Sequence, residues 1–178
     1  MTHKLENPNR VAELNPKETL IKIGLSEHDV FCDIGAGTGI FTYAAAEITT
    51  NDIYAIEISG EMREILQSKN DARNVIIEAS SQNIPANSSD VVLLCTVLHE
   101  LKNIPDMMRE IRRILKCDGV LSIIEFHKAA TPMGPPAVHR ISESEASETL
   151  IENEFTEIKR FKLGENFYCL VFKQTREA

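Results

Sequence analysis

The sequence predicts a doubly wound α/β sheet carrying one antiparallel strand. Three observations predict it. Short apolar runs alternate along the chain with segments of helical period, the pattern of strands that return through crossover helices. One run, Val91-Val92-Leu93-Leu94-Cys95, is apolar without interruption, as in a parallel strand buried on both faces. The last two strand segments are joined by Leu163-Gly164-Glu165 alone, so they should pair as an antiparallel hairpin.

The elements follow in order. Residues 1–15 are polar, with Pro8 and the Asn15-Pro16 step as breakers. Pro16 suits a first helical position, and Thr19, Leu20 and Ile23 share a face, so Pro16 to Ile23 is read as a helix stopped by Gly24. Val30 to Ile34 is a first strand, and an alanine-rich helix runs from Ile40 to Glu47. After the turn at Asn51-Asp52 comes a second strand over 53–57, whose terminal Glu57 is expected at an exposed strand end. Ser59 is a good N-cap for a helix from Gly60 to Lys69, with Met62, Ile65 and Leu66 as its stripe. Val75-Ile76-Ile77 and Val91 to Cys95 are the third and fourth strands.

Residues 104–115 place Ile104, Met107, Met108, Ile111, Ile114 and Leu115 at helical spacing, and these methionines read as packing. Lys116-Cys117-Asp118-Gly119 is a turn into a fifth strand, Val120 to Glu125. Pro132-Met133-Gly134-Pro135-Pro136 is too broken for helix or strand. Ser142-x-x-Glu145 is a capping box opening a helix to about Glu154. Strands over Glu157–Lys162 and Asn166–Lys173 close the chain.

Composition narrows the functional classes. The 178 residues suffice for one domain with a real core, and 43% hydrophobic is an ordinary soluble globular composition. No apolar run approaches the ~20 residues of a membrane span, and Met1 to Pro8 lacks the apolar core of a signal peptide. The four cysteines (32, 95, 117 and 169) are scattered with no C-x-x-C pair, which favours a reduced, cytoplasmic setting. A net charge of −8 argues against broad nucleic-acid binding.

The most informative stretch is Asp33-Ile34-Gly35-Ala36-Gly37-Thr38-Gly39. Glycine lets the backbone turn with positive φ and lets a ligand approach without meeting a Cβ. A helix N-terminus behind such a turn offers N–H groups to a polar or anionic ligand. Three readings compete. A dinucleotide fingerprint would need its third glycine where Ile40 stands, and a phosphate loop would need a Gly-Lys-Ser/Thr triplet that does not follow. The remaining reading is a nucleoside pocket for a ligand without a pyrophosphate. Glu57, about 20 residues past the turn, stands where a ribose-binding carboxylate is expected.

The D-x-G-x-G-x-G run resembles the first motif of class I S-adenosylmethionine-dependent methyltransferases. Ser89-Asp90-Val91-Val92 with Val97-Leu98-His99-Glu100-Leu101, and Glu110 to Gly119, are similar to signatures of the ubiquinone/menaquinone-biosynthesis-like (type 11) group. The resemblance spans about residues 5–173. It implies a Rossmann-like seven-stranded sheet forming a single methyltransferase domain over 1–178. Residues 1–25 would then be an N-terminal lid or helical segment, and 26–178 the core.

It also implies S-adenosylmethionine as cofactor and S-adenosylhomocysteine as product. The candidate binding residues are Asp33, Gly35, Ala36, Gly37, Thr38, Gly39, Glu57, Ile58, Ser80, Ser81, Gln82, Cys95 and Thr96. Two departures stand out. Cys117 and Asp118 replace the usual proline and glycine, and Ser80 stands where relatives carry an aspartate that contacts the adenine amino group. Asp33 is also compatible with merely capping the turn, and Glu57 with a solvated strand end.

His99 and His127 follow the fourth and fifth strands and are the candidate catalytic residues on the acceptor side. His99 is compatible either with a base or with a structural histidine bonded to loop backbone. His99, Glu125, His127 and His139 are of metal-ligating type but lack a tight spacing such as H-E-x-x-H, so no metal is expected. The expected reaction is methyl transfer to a small-molecule acceptor. A homodimer is compatible with this reading. The alternative is a nucleoside-sensing or scaffold domain that binds the cofactor without transfer.

Overall fold

The computed structural model describes residues 5–175, so residues 1–4 and 176–178 of the expected domain lie outside the described residues. Seven strands form one sheet in the order β3-β2-β1-β4-β5-β7-β6. They are β1 (Phe31–Ile34), β2 (Ile53–Ile56), β3 (Val75–Glu78), β4 (Ser89–Cys95), β5 (Leu115–Phe126), β6 (Phe155–Leu163) and β7 (Phe167–Gln174). The first five pair in parallel. β7 runs antiparallel between β5 and β6, as the short hairpin turn requires.

Among the described residues the two faces are covered by α1 (Pro8–Leu14), α2 (Pro16–Ile23), α3 (Ile40–Ala46), α4 (Gly60–Lys69), α5 (Ile104–Ile114) and α6 (Glu143–Glu152). Leu14, Leu20, Ile23, Phe41, Ala45 and Leu66 from α1 to α4 pack with Phe31, Ile53, Val91 and Leu93 on one face. Met108, Ile111 and Ile114 of α5 and Ala146 and Leu150 of α6 pack with Cys32, Val92, Leu94 and Leu170 on the other. Burying each such large apolar side chain contributes about 1.5–3 kcal/mol, so helical stripe and strand alternation lock each other. The capping box at Ser142 and Glu145 starts α6, and the side chains of Ser59 and Asn103 cap α4 and α5.

Two stretches differ from the sequence reading. Residues 8–14 are helical: Asn7 accepts from the N–H groups of Asn9 and Arg10, so Pro8 sits at a helix start, where its missing N–H costs nothing. Lys116 to Gly119 form no turn ahead of β5 but an excursion within it. Ser89 pairs with Leu115 and Val91 with Val120, so Asp90 alone faces the four intervening residues.

The register places the site. Ile34 of β1 is level with Ile56 of β2 and Leu94 of β4, and Ile56 with Glu78 of β3. Gly35, Glu57, Ala79 and Cys95 therefore leave the sheet side by side, at the carboxyl edge where open parallel sheets bind ligands.

Candidate active site

At this edge Gly35, Gly37 and Gly39 all have positive φ (76°, 57° and 87°). Gly35 is constrained by packing, since a Cβ there would lie 2.4 Å from Val97 Cγ2. A Cβ at Gly37 would lie 3.2 Å from Leu5 Cδ1, a close approach to the far end of a flexible side chain, and 4.0 Å from Gly35 O. The N–H groups of Gly35 and Ala36 donate to Ile56 O, and Gly39 N–H donates to Ala36 O, so the turn is pinned to β2. Thr38 is buried, and its Oγ1 has no hydrogen-bond partner among the described residues. A buried hydroxyl left unpaired costs about 1–3 kcal/mol, a cost that a polar ligand group in the turn would remove.

Asp33 is buried and its Oδ2 accepts from Thr42 Oγ1 at 2.7 Å. Burial raises its pKa to about 6, against the pull of the Thr42 hydrogen bonds. Glu57 differs from the sequence expectation. It is 8% exposed rather than at an open strand end. One carboxylate oxygen accepts Gly37 N–H at 2.9 Å and the other accepts Ser59 N–H at 2.8 Å. The Glu57 carboxylate thus braces the glycine turn. Beside it, Ile58 is 88% exposed, an apolar side chain offered at the mouth of the edge.

Ser80 and Gln82 are exposed at the end of β3. Ser81 is committed elsewhere: its hydroxyl donates to Glu110 at 2.7 Å, and Arg113 bonds its carbonyl at 3.1 Å. At the end of β4, burial pushes the Cys95 thiol up to about 12, opposed by Arg10. Thr96 has φ 58°, a strained conformation for a β-branched residue, and its N–H donates to Ile124 O at 2.7 Å. An orphaned Thr38 hydroxyl, a glycine turn with positive φ, a carboxylate just past β2 and an exposed apolar residue beside it fit a nucleoside-bearing cofactor such as the resemblance implies.

Past the end of β4 lies a cavity of about 550 Å³ lined in part by Leu98, His99, Leu101, Val138 and Ile141. His99 Nδ1 lies 3.0 and 2.8 Å from the two oxygens of Glu125, and His99 N–H donates to Oε1 at 3.2 Å. Glu125 is 1% exposed, so the sequence prediction of a chemically placed histidine acquires a buried partner that spacing alone did not reveal. The Glu125 hydrogen bond raises the pKa of His99, and burial opposes it.

His127 is placed otherwise. Its Nδ1 is 3.2 Å from Glu143 at the start of α6, and its ring lies 5.6 Å from that of Tyr168. No group of three or more His, Cys, Asp and Glu among the described residues is arranged to hold a metal.

Sequence reasoning missed three residues. Arg140, buried, donates to the carbonyls of His127, Ala129, Met133 and Pro135 and to Thr131 Oγ1, at 2.6–3.0 Å, and so organises the Pro- and Gly-rich loop over the cavity. Asn166 joins that loop to α1: it accepts from His127 N–H and Met133 N–H and donates to Glu13 at 2.8 Å. Arg10 reaches from α1 to Thr96. None carries a periodic or motif signal; an isolated arginine just after the proline cluster is the only hint of Arg140.

A family model described as a methyltransferase domain matches residues 32–123, over half of the chain and including the turn, Glu57 and His99. The chain belongs to that family. A putative type 11 methyltransferase from Sulfolobus solfataricus is 30% identical, with 91% of this chain and 93% of that one covered and a TM-score of 0.82. A SAM-dependent methyltransferase from Aquifex aeolicus shares the fold at TM-score 0.91 and 24% identity, covering 97% of this chain and 96% of that one. Among curated proteins, a ubiquinone/menaquinone biosynthesis C-methyltransferase of Ectopseudomonas mendocina is 32% identical over 110 residues, covering 57% of this chain and 43% of its own length. The chain thus spans less than half the length of that curated relative.

Proposed function

We propose that this protein transfers a methyl group from S-adenosylmethionine to a small-molecule acceptor. The observation that carries the reading is the juxtaposition at one sheet edge of the glycine turn with its unpaired Thr38 hydroxyl, the Glu57 carboxylate, and the His99-lined cavity. Glu57 would accept the ribose hydroxyls while holding Gly37 N–H, Ile58 would cover the base, and Ser80 and Gln82 stand at the rim of that pocket. The cofactor supplies a methyl group already activated by the positive charge on sulfur. The protein's task is then to orient an acceptor and exclude water.

For an acceptor that must lose a proton, His99 is the base. Glu125 engages Nδ1 and so fixes the tautomer whose Nε2 lone pair takes that proton, with Glu100 Oε1 3.8 Å from Nε2. His127 supports the cavity wall through Glu143 and α6 and is assigned no proton transfer. The charge of −8 supports a small acceptor over nucleic acid, and no helix among the described residues is long and apolar enough to cross a membrane.

The rival reading, binding without transfer, has the Ser80 substitution as its support in the sequence. Incubation with methyl-labelled S-adenosylmethionine and a metabolite panel separates the two. Labelled product with stoichiometric S-adenosylhomocysteine is expected. Tight cofactor binding with no labelled product across phenols, quinols, thiols and amines would favour the rival.

A further inference from the structure

Arg10 is 6% exposed, yet its hydrogen-bond partners among the described residues are all neutral. Nη1 donates to Leu5 O at 3.0 Å, and Nη2 to Thr96 Oγ1 at 3.3 Å and to Cys95 Sγ at 3.9 Å. The Cys95 thiol, held near 12, gives no compensating negative charge at neutral pH. The Phe167 ring lies 5.8 Å from the guanidinium carbon, a further neutral contact. A buried cation without a carboxylate is costly, and the planar guanidinium fork matches a carboxylate better than any of these partners.

Its surroundings indicate which carboxylate. Leu5, whose carbonyl holds Nη1, packs its side chain against Gly37, and Glu6 pairs with Lys69 of α4. Residues 5–10 therefore form a strap from α4, across the glycine turn, to the end of β4. At the other side of the turn stands Glu57, the residue after β2. β2 and β4 flank β1, so Glu57 and Arg10 address positions two strand spacings apart, about 10 Å. A ligand with hydroxyls at Glu57 and a carboxylate at Arg10 must be extended across the turn. An adenosyl amino-acid thioether has that shape; a free acceptor carboxylate in the His99 cavity does not reach Glu57.

The geometry points to Arg10 as the residue that pairs with the carboxylate of the cofactor's amino-acid end, beneath the N-terminal strap that crosses the turn. This inference rests on the reading of the site as an S-adenosylmethionine pocket. Glu13, bonded to Asn166, holds α1 in place independently of Arg10.

The test is calorimetric titration of the full chain and of Arg10→Gln and Arg10→Lys with S-adenosylhomocysteine and with 5′-methylthioadenosine. The second ligand keeps the adenosyl thioether and lacks the amino acid. Loss of a hydrogen-bonded charge pair predicts that Arg10→Gln binds S-adenosylhomocysteine roughly tenfold to a hundredfold more weakly. Methylthioadenosine affinity should stay within about threefold, which also shows that the variant is folded, and Arg10→Lys should fall between. Unchanged S-adenosylhomocysteine affinity in Arg10→Gln, or equal losses for both ligands, would overturn the assignment while leaving the pocket itself standing. Failure of the unmutated chain to bind either ligand would remove both.

Discussion

Glu57→Ala tests whether the site carboxylate is also a structural brace. The substitution removes two hydrogen bonds to a charged acceptor, at 2.9 Å from Gly37 N–H and 2.8 Å from Ser59 N–H, inside a residue only 8% exposed. Such bonds contribute about 1.5–3 kcal/mol each when buried. Water can reach part of the Ser59 end, so a loss of about 2–4 kcal/mol is the expected total. For a domain of this size that lowers the melting temperature by roughly 5–12 °C. Glu57→Gln keeps one acceptor oxygen and should lose about half as much. Calorimetric melting of the three proteins without ligand reads the structural part, and titration with S-adenosylhomocysteine reads the binding part. A Glu57→Ala variant that melts within 1 °C of the parent would refute the brace, whatever its affinity.

Other outcomes follow from the same structure. His99 has its pKa raised by Glu125, so the stability from that pair is full below the unfolded pKa near 6.5 and is lost as pH rises through the folded value; denaturation at pH 5.5 and 8.5 should show Glu125→Gln costing more at the lower pH. The acid limb of methyl transfer to a hydroxylic acceptor should likewise lie above 6.5 and move down in Glu125→Gln. The groups acting on His99 are Glu125 and Glu100, and Lys128, Glu145, His139 and Arg140 line the same cavity, so a limb that does not move excludes His99 as the base. Asp33, raised from 3.8 to about 6, burdens the fold increasingly as pH rises from about 4 through 6, so Asp33→Asn should be the more stable protein at pH 7.5, by up to about 3 kcal/mol, and nearly equal at pH 4; a lower melting point at pH 7.5 contradicts this. Arg140→Ala should expose residues 128–138 to limited proteolysis while leaving cofactor affinity within about threefold (about 0.7 kcal/mol).

How far the sequence could be read follows the physics of each signal. β4 and α5 were legible because burial on a face writes a period into several residues, and α6 because a capping box is a local pair. The glycine turn and Glu57 were legible through the spacing that a strand, turn and crossover impose. α1 was not: seven residues with a buried arginine carry almost no stripe, and Pro8 signals a start only once Asn7 is seen to cap it. The excursion at 116–119 was read as a plain turn because its pairing depends on Ser89 and Val91, far away in the chain. Glu125, Arg140 and Asn166 lie in the same class. Each acts through contacts distant in sequence, and a buried polar residue without a periodic neighbour looks like any surface charge until the chain is folded.

The central claim is that the carboxyl edge is built for S-adenosylmethionine and not for a nucleotide carrying a pyrophosphate. It is tested most directly by melting the protein with S-adenosylmethionine, S-adenosylhomocysteine, NAD or ATP, each at saturating concentration. A ligand at 100 times its dissociation constant adds about 2.7 kcal/mol, several degrees for a domain of this size. Such shifts are expected with the two sulfur nucleosides and none with NAD or ATP. A shift with NAD or ATP alone would contradict it.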